Sequence, residues 1–160
     1  MIKASIANAA VHKFDQDGAP LAAHVSDVIA LYVLLVSKIL QGSAIPSGAR
    51  GYYFATAHRI PWWETLQRLA IFLHARGLVT SKSVSTWPSD EMAAESLGFP
   101  RHFVRGMGTA TPQLVPVNAY EQLEWQPKWT LEMFWESLED EVDAVRESRE
   151  GRASIYDALT

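Results

Sequence analysis

The sequence predicts an α+β fold, mainly helical with two or three short strands. Three long stretches repeat apolar residues at the three- and four-residue steps of a helix, and the only strand-like runs are short and closed by Gly or Pro. The chain has 160 residues, enough to bury one substantial core, with 48% apolar and 20% charged residues. Residues 1–148 are therefore expected to form a single unit, with 149–160 as a frayed tail.

The amino-terminal stretch Met1–Phe14 is broken by Lys3, Asn8, His12 and Lys13, so it lacks the apolar run of a secretory signal. The first helix follows Ser26 or Asp27, either of which can accept from the orphan amides of the first turn. Its expected buried stripe is Ile29, Tyr32, Val33, Val36, Ile39 and Leu40, and Gly42 and Pro46 stop it. The apolar run Val28–Leu40 is too short for a bilayer, which needs about 20 residues, so a buried helix is expected. The aromatic run Gly51-Tyr52-Tyr53-Phe54-Ala55 reads as a strand.

Pro61 suits the first position of the second helix, whose inner stripe is Trp62, Leu66, Leu69, Ala70 and Leu73 up to Gly77. Val84–Trp87 is a second strand closed by Pro88, and Ser89 caps a short helix, Asp90–Leu97, ended by Gly98. Gly106–Pro112 is a loop rich in turn formers. The third long helix starts after Thr130 and turns Leu131, Phe134, Trp135, Leu138, Val142 and Val145 inward. Glu132, Glu136, Glu139, Asp140 and Asp143 form its solvated face.

Composition excludes several functions. A net charge of -4 offers no basic surplus for polyanions, so no nucleic-acid partner is expected. The absence of cysteine removes disulfides and thiol chemistry and fits a cytoplasmic protein. No two of His12, His24, His58, His74 and His102 stand at the helical spacing of metal ligands, so no metal is expected. No membrane partner is expected either.

His24-Val25-Ser26-Asp27-Val28 opening a long helix, then Gly-Tyr-Tyr-Phe-Ala, then an amphipathic helix, then Leu123-Glu124-Trp125-Gln126-Pro127 before the last helix, follow one another over nearly the whole chain. This order resembles the carboxyl-terminal half of extended short-chain dehydrogenases/reductases, the NAD-dependent epimerase/dehydratase-like proteins, and most of all their fungal members. The resemblance implies the substrate-binding lobe of such a protein, truncated or separately encoded, with a fungal secondary-metabolic role. One departure falls at Glu124, where the family carries Gly.

The front half of that family is not recognisable. Gly106-Met107-Gly108 runs into Thr109-Ala110-Thr111-Pro112 rather than a helix that could meet a pyrophosphate. No tyrosine has Lys four residues on, so the family's Tyr-x-x-x-Lys is missing. No cofactor is expected in this chain, NAD(P) entering only with a Rossmann half supplied by a partner. The Arg-Asp that pairs with diphosphates in sugar-nucleotide epimerases falls on Pro20 and Leu21. An apolar metabolite is thus expected in place of a nucleotide sugar.

The candidate substrate-binding residues are Tyr53, His58, Arg59, Trp62 and Trp63. His58 and Arg59 sit in a strand-end loop, where ligands are often met. Adjacent Trp62 and Trp63 cannot both point inward from one helix, so one should face a cleft or partner. His58, His102 and Tyr53 are the candidate catalytic groups, should the chain be a cofactor-independent isomerase or cyclase. Arg101, His102 and Arg105 are expected to pair with the acidic face of the last helix in preference to an anionic ligand. A third alternative is an oligomeric scaffold, a homodimer burying the face that a Rossmann partner would otherwise cover.

Overall fold

A computed structural model describes residues 1–147; the expected tail lies outside the described residues. The architecture is α+β and mainly helical. The elements are α1 (Ile2–Ala7), β1 (His12–Lys13), β2 (Leu21–Ala22), α2 (Val25–Leu40), β3 (His58–Arg59), α3 (Trp62–Ala75), β4 (Ser85–Thr86), α4 (Asp90–Leu97), α5 (Arg101–Val104), α6 (Gly106–Thr109) and α7 (Leu131–Glu147). A π turn spans Asn118–Gln122. β1 pairs in parallel with β4, and β2 antiparallel with β3.

α3 buries Leu66, Leu69, Ala70 and Leu73, with Trp62 half-buried beside them, because the charged and amide residues of its sequence fall on the opposite face. Val11, Val79 and Val142 of α7 complete this core. Pro61 stands one place before the helix, at its cap. Trp135 of α7 donates its indole N–H to the Thr65 hydroxyl (3.0 Å), and Arg76 ties the helices at their far end through Asp143 (2.6 Å). A second core joins Phe14, Trp87, Ala93 and Val104. Ser89 caps α4 through the Met92 amide, and Gly98 ends it in the left-handed region (φ 71°) that glycine reaches at least cost.

The third core holds Leu31 of α2 with Ala119, Leu123 and Trp125, and here several expectations are corrected. The side chain that caps α2 is neither Ser26 nor Asp27 but His24, whose Nδ1 accepts from the Ser26 amide (3.2 Å). Asp27 lies on the buried face and accepts from the Lys128 and Trp129 amides (2.9 and 3.0 Å). Anchored by that carboxylate, the helix turns Leu31, Leu34 and Leu35 inward. Ile29, Tyr32, Val33, Val36, Ile39 and Leu40, expected inside, face outward at 52–82% exposure.

Gly51–Ala55 is not a strand, since among the described residues no neighbouring strand pairs with it. Its chain seats Tyr53 and Ala55 on the third core while the Asn118 side-chain amide donates to the Arg50 and Tyr52 carbonyls. Strand pairing begins only at His58. The first four residues of the expected Gly106–Pro112 loop form the helical turn α6. Its Gly108 lies so close to Phe14 that a Cβ there would stand 2.9 Å from the ring. Arg101 and Arg105 pair with Glu91 and with Asp90 and Asp15, not with the last helix, because α4 is their immediate neighbour. The acids Asp90 and Asp15 hold the Arg105 guanidinium firmly protonated, and Arg105 in turn lowers the Asp15 carboxyl.

Candidate substrate cleft

The segments His24–Val28 and Leu123–Pro127 lie about one hundred residues apart in sequence and are joined in space. The Trp125 indole donates to the Asp27 carbonyl (2.9 Å), and the Asp27 carboxylate accepts from the amides of Lys128 and Trp129, just beyond Pro127. A buried carboxylate accepting two backbone N–H groups makes charge-assisted bonds, stronger than neutral ones. The clamp lays the Trp129 ring flat on His24, centroids 3.6 Å apart and planes within 10°.

This stack forms one wall of a cleft of about 670 Å³. β2 and the chain after it supply Ala22 and Ala23, β3 supplies His58, and Ile60 follows. α7 closes the far side with Phe134, Ser137, Asp140 and Glu141. These four residues recur at helical steps beside half-buried Trp135 and Leu138 and buried Val142, so α7 serves the core with one face and the cleft with the next. The volume falls in the ~300–1,000 Å³ range of small-molecule sites.

Chemically the cleft is an apolar, aromatic slot with a few polar groups. Two imidazoles and a hydroxyl can donate or accept hydrogen bonds, and two carboxylates stand on its α7 side. Among the described residues no lysine or arginine lines it. A polyphosphate would therefore meet acids with no cation to neutralise it, whereas a neutral ring could lie against Trp129 and Phe134. The buried Nδ1 of His58 has no hydrogen-bond partner, so its other ring nitrogen is the one available to a ligand.

Of the residues singled out from sequence, the structure brings His58 to this cleft and distributes the others. The Arg59 guanidinium donates to the carbonyls of Pro112 (2.8 Å) and Ala19 (3.4 Å), pinning the loop after α6. The Tyr53 hydroxyl donates to the Pro46 carbonyl (2.8 Å), and burial raises its pKa. Trp62 packs on the α3 core, while Lys13 lies over the Trp63 ring at 3.5 Å. His102 sits with Asp90, Arg101 and Arg105 in a separate open depression. His24, Trp129, Phe134, Ser137, Asp140 and Glu141 were not singled out. For His24 and Trp129 a sequence signal exists, since His24 opens the segment before α2 and Trp129 follows the Leu123–Pro127 segment; Phe134 reads as part of the inward stripe of α7, and Ser137, Asp140 and Glu141 carry no signal, being spaced like an ordinary solvated face.

Comparison of the chain with protein-family models, with curated protein sequences and with solved structures finds no match. Among the described residues no helix is long and apolar enough to cross a membrane, and no group of three or more His, Asp or Glu is arranged to hold a metal ion.

Proposed function

We propose that this chain is the substrate-binding lobe of an NAD(P)-dependent epimerase/dehydratase- or reductase-like protein of the extended short-chain dehydrogenase type. In this reading it receives a small, largely apolar, uncharged metabolite, and hydride transfer belongs to a Rossmann domain supplied by a partner. The observation that carries the reading is the cleft itself: the His-Val-Ser-Asp segment and the Trp-Gln-Pro segment are clamped together by Asp27, and the space beside the clamp is aromatic and acid-edged, with no lining cation among the described residues. Like charges placed against an anionic substrate select against it as effectively as contacts select for the right one.

The test is a titration of intrinsic tryptophan fluorescence with three probes: 2-naphthol as a neutral aromatic alcohol, a uridine diphosphate sugar, and NADPH. The naphthol should quench Trp129 saturably, and substitution of Trp129 by Phe should remove that component. Saturable NADPH binding would contradict the assignment of cofactor chemistry to a partner, and tight binding of the nucleotide sugar would contradict the substrate class.

A second reading is supported by the two imidazoles in the cleft. A cofactor-independent isomerase or cyclase needs a general acid or base at the substrate, and His58 and His24 stand where one would be required. Turnover of a bound metabolite by the isolated chain, lost in His58→Ala and retained in His102→Ala, would favour it over a binding lobe.

A further inference from the structure

α2 carries two apolar faces, and the fold uses one. Leu31, Leu34 and Leu35 meet the third core. Val25, Ile29, Tyr32, Val33, Val36, Ile39 and Leu40 stand exposed at 65, 57, 64, 60, 52, 60 and 82%. At 3.6 residues per turn these seven fall within a sector of about 120°, a continuous stripe along the whole helix. Val25, Ile29, Tyr32, Val36 and Ile39 advance by alternate steps of four and three, the spacing that keeps an apolar seam facing another helix. No charged residue interrupts the stripe. Asp27 and Lys38, the charged residues of α2, lie on the other side, Asp27 being buried.

We infer that the outer face of α2 is an isologous interface that pairs two copies of this chain through antiparallel α2 helices. Three observations select a second copy as the occupant. Six of the seven stripe residues are symmetric about the point between Tyr32 and Val33: a two-fold axis there sets Val25 opposite Leu40, Ile29 opposite Val36 and Tyr32 opposite Val33, with Ile39 alone falling opposite a small polar residue, Ser26, so the surface is largely complementary to itself. The absence of charge means that self-pairing brings no like charges together and that a charged partner would find nothing to recognise. The area also suffices. Seven side chains of this size, more than half exposed, present on the order of 600 Å² per copy, so pairing would bury about 1,200 Å² in total, the lower edge of stable specific interfaces. A patch of that extent is at the upper end of what a monomer leaves open to water.

Val25 belongs both to the stripe and to the lining of the cleft. The dimer would therefore bring the last turn of the second copy's α2 to the cleft mouth. The pairing stands whatever the cleft binds.

The test combines hydrodynamics with cross-linking on the full chain. Sedimentation velocity between about 1 and 100 µM should show a reversible monomer–dimer equilibrium, and Val36→Glu should weaken it at least 100-fold while leaving the circular dichroism and the melting curve unchanged. Because the chain has no cysteine, Tyr32→Cys, close to the two-fold axis, should oxidise to a covalent dimer. Ile71→Cys, on the exposed face of α3 at 52% exposure, should not. A wild-type chain that stays monomeric at 100 µM overturns the proposal, as does open-ended oligomerisation insensitive to Val36→Glu or equal cross-linking at positions 32 and 71. A Tyr32→Cys monomer whose introduced thiol becomes protected only on adding a Rossmann-type domain would assign the stripe to that domain and equally overturn it.

Discussion

Replacing Asp27 by Ala is the sharpest test of how the cleft is held. Asp27 is 3% exposed, and its two carboxylate oxygens accept from the Lys128 and Trp129 amides at 2.9 and 3.0 Å. Truncation removes both acceptors and leaves two backbone donors without partners. Leaving a buried donor unpaired costs about 1–3 kcal/mol. Lys128 is exposed and water can replace its lost acceptor, whereas the half-buried Trp129 amide is less easily solvated. The sum then lies near the lower half of the range, about 3 kcal/mol for the pair. For a chain of this length each kcal/mol lowers the melting temperature by roughly 2–4 °C, so a fall of about 6–12 °C is expected. Asn, which keeps one acceptor oxygen, should lose about half as much. Thermal melts followed by far-UV circular dichroism measure the cost, and the fluorescence of Trp129, released from its stack on His24, should change already below the melt. An Asp27→Ala variant that melts within about 2 °C of wild type would refute the clamp.

Three further outcomes follow from individual residues. Glu124 occupies the left-handed region at φ 57°, which costs a side-chain-bearing residue about 1 kcal/mol or more, so Glu124→Gly should raise stability by about 1 kcal/mol in urea denaturation; a loss would show that the Glu124 side chain makes a compensating contact. A Cβ on Gly18 would stand 2.6 Å from the Gly108 carbonyl oxygen, backbone against backbone, so Gly18→Ala should destabilise by about 1–3 kcal/mol, measured the same way, and a neutral result would mean that the α6 loop yields freely. His12 is buried against Trp87 with ring centroids 4.4 Å apart, and burial lowers its pKa more than the Ala10 carbonyl raises it. The unfolded chain therefore takes up a proton at His12 near pH 6.5 while the folded chain resists it, so this site subtracts stability progressively as pH falls below about 6.5. His12→Phe should flatten the pH dependence of stability between about pH 7 and 5; an unchanged slope would place its origin elsewhere.

The parts of the fold legible in the sequence are those where one side of an element is plainly charged. α3 sets its charged and amide residues opposite its apolar stripe, so the stripe can only point inward, and Ser89 and Gly98 bracket α4 with local chemistry that needs no distant partner; of the stripe expected on α7 only Val142 is fully buried, the others being half-buried and Phe134 turned to the cleft. α2 lacks such a contrast. Both its faces are apolar, and what chooses between them is Asp27, whose partners lie at Lys128 and Trp129, beyond the reach of any periodicity argument. The Tyr52–Phe54 run has strand propensity but no strand beside it, and propensity alone does not supply a ladder. The site divides in the same way. His58 could be picked out because it ends an extended segment before a helix. Trp129 and the α7 residues Phe134, Ser137 and Asp140 reach the cleft only through the tertiary arrangement, and Arg59, beside His58, turns instead to the carbonyls of Ala19 and Pro112.

Whether the cleft between His24, His58 and α7 receives a neutral aromatic or apolar metabolite is tested most directly by amide and indole chemical-shift mapping of the ¹⁵N-labelled chain titrated with 2-naphthol. Saturable shifts are predicted at His24, His58, the Trp129 indole and Ser137, with Arg101, His102 and Arg105 unmoved. Shifts centred on the His102 depression, or none at all at the cleft, would contradict the assignment.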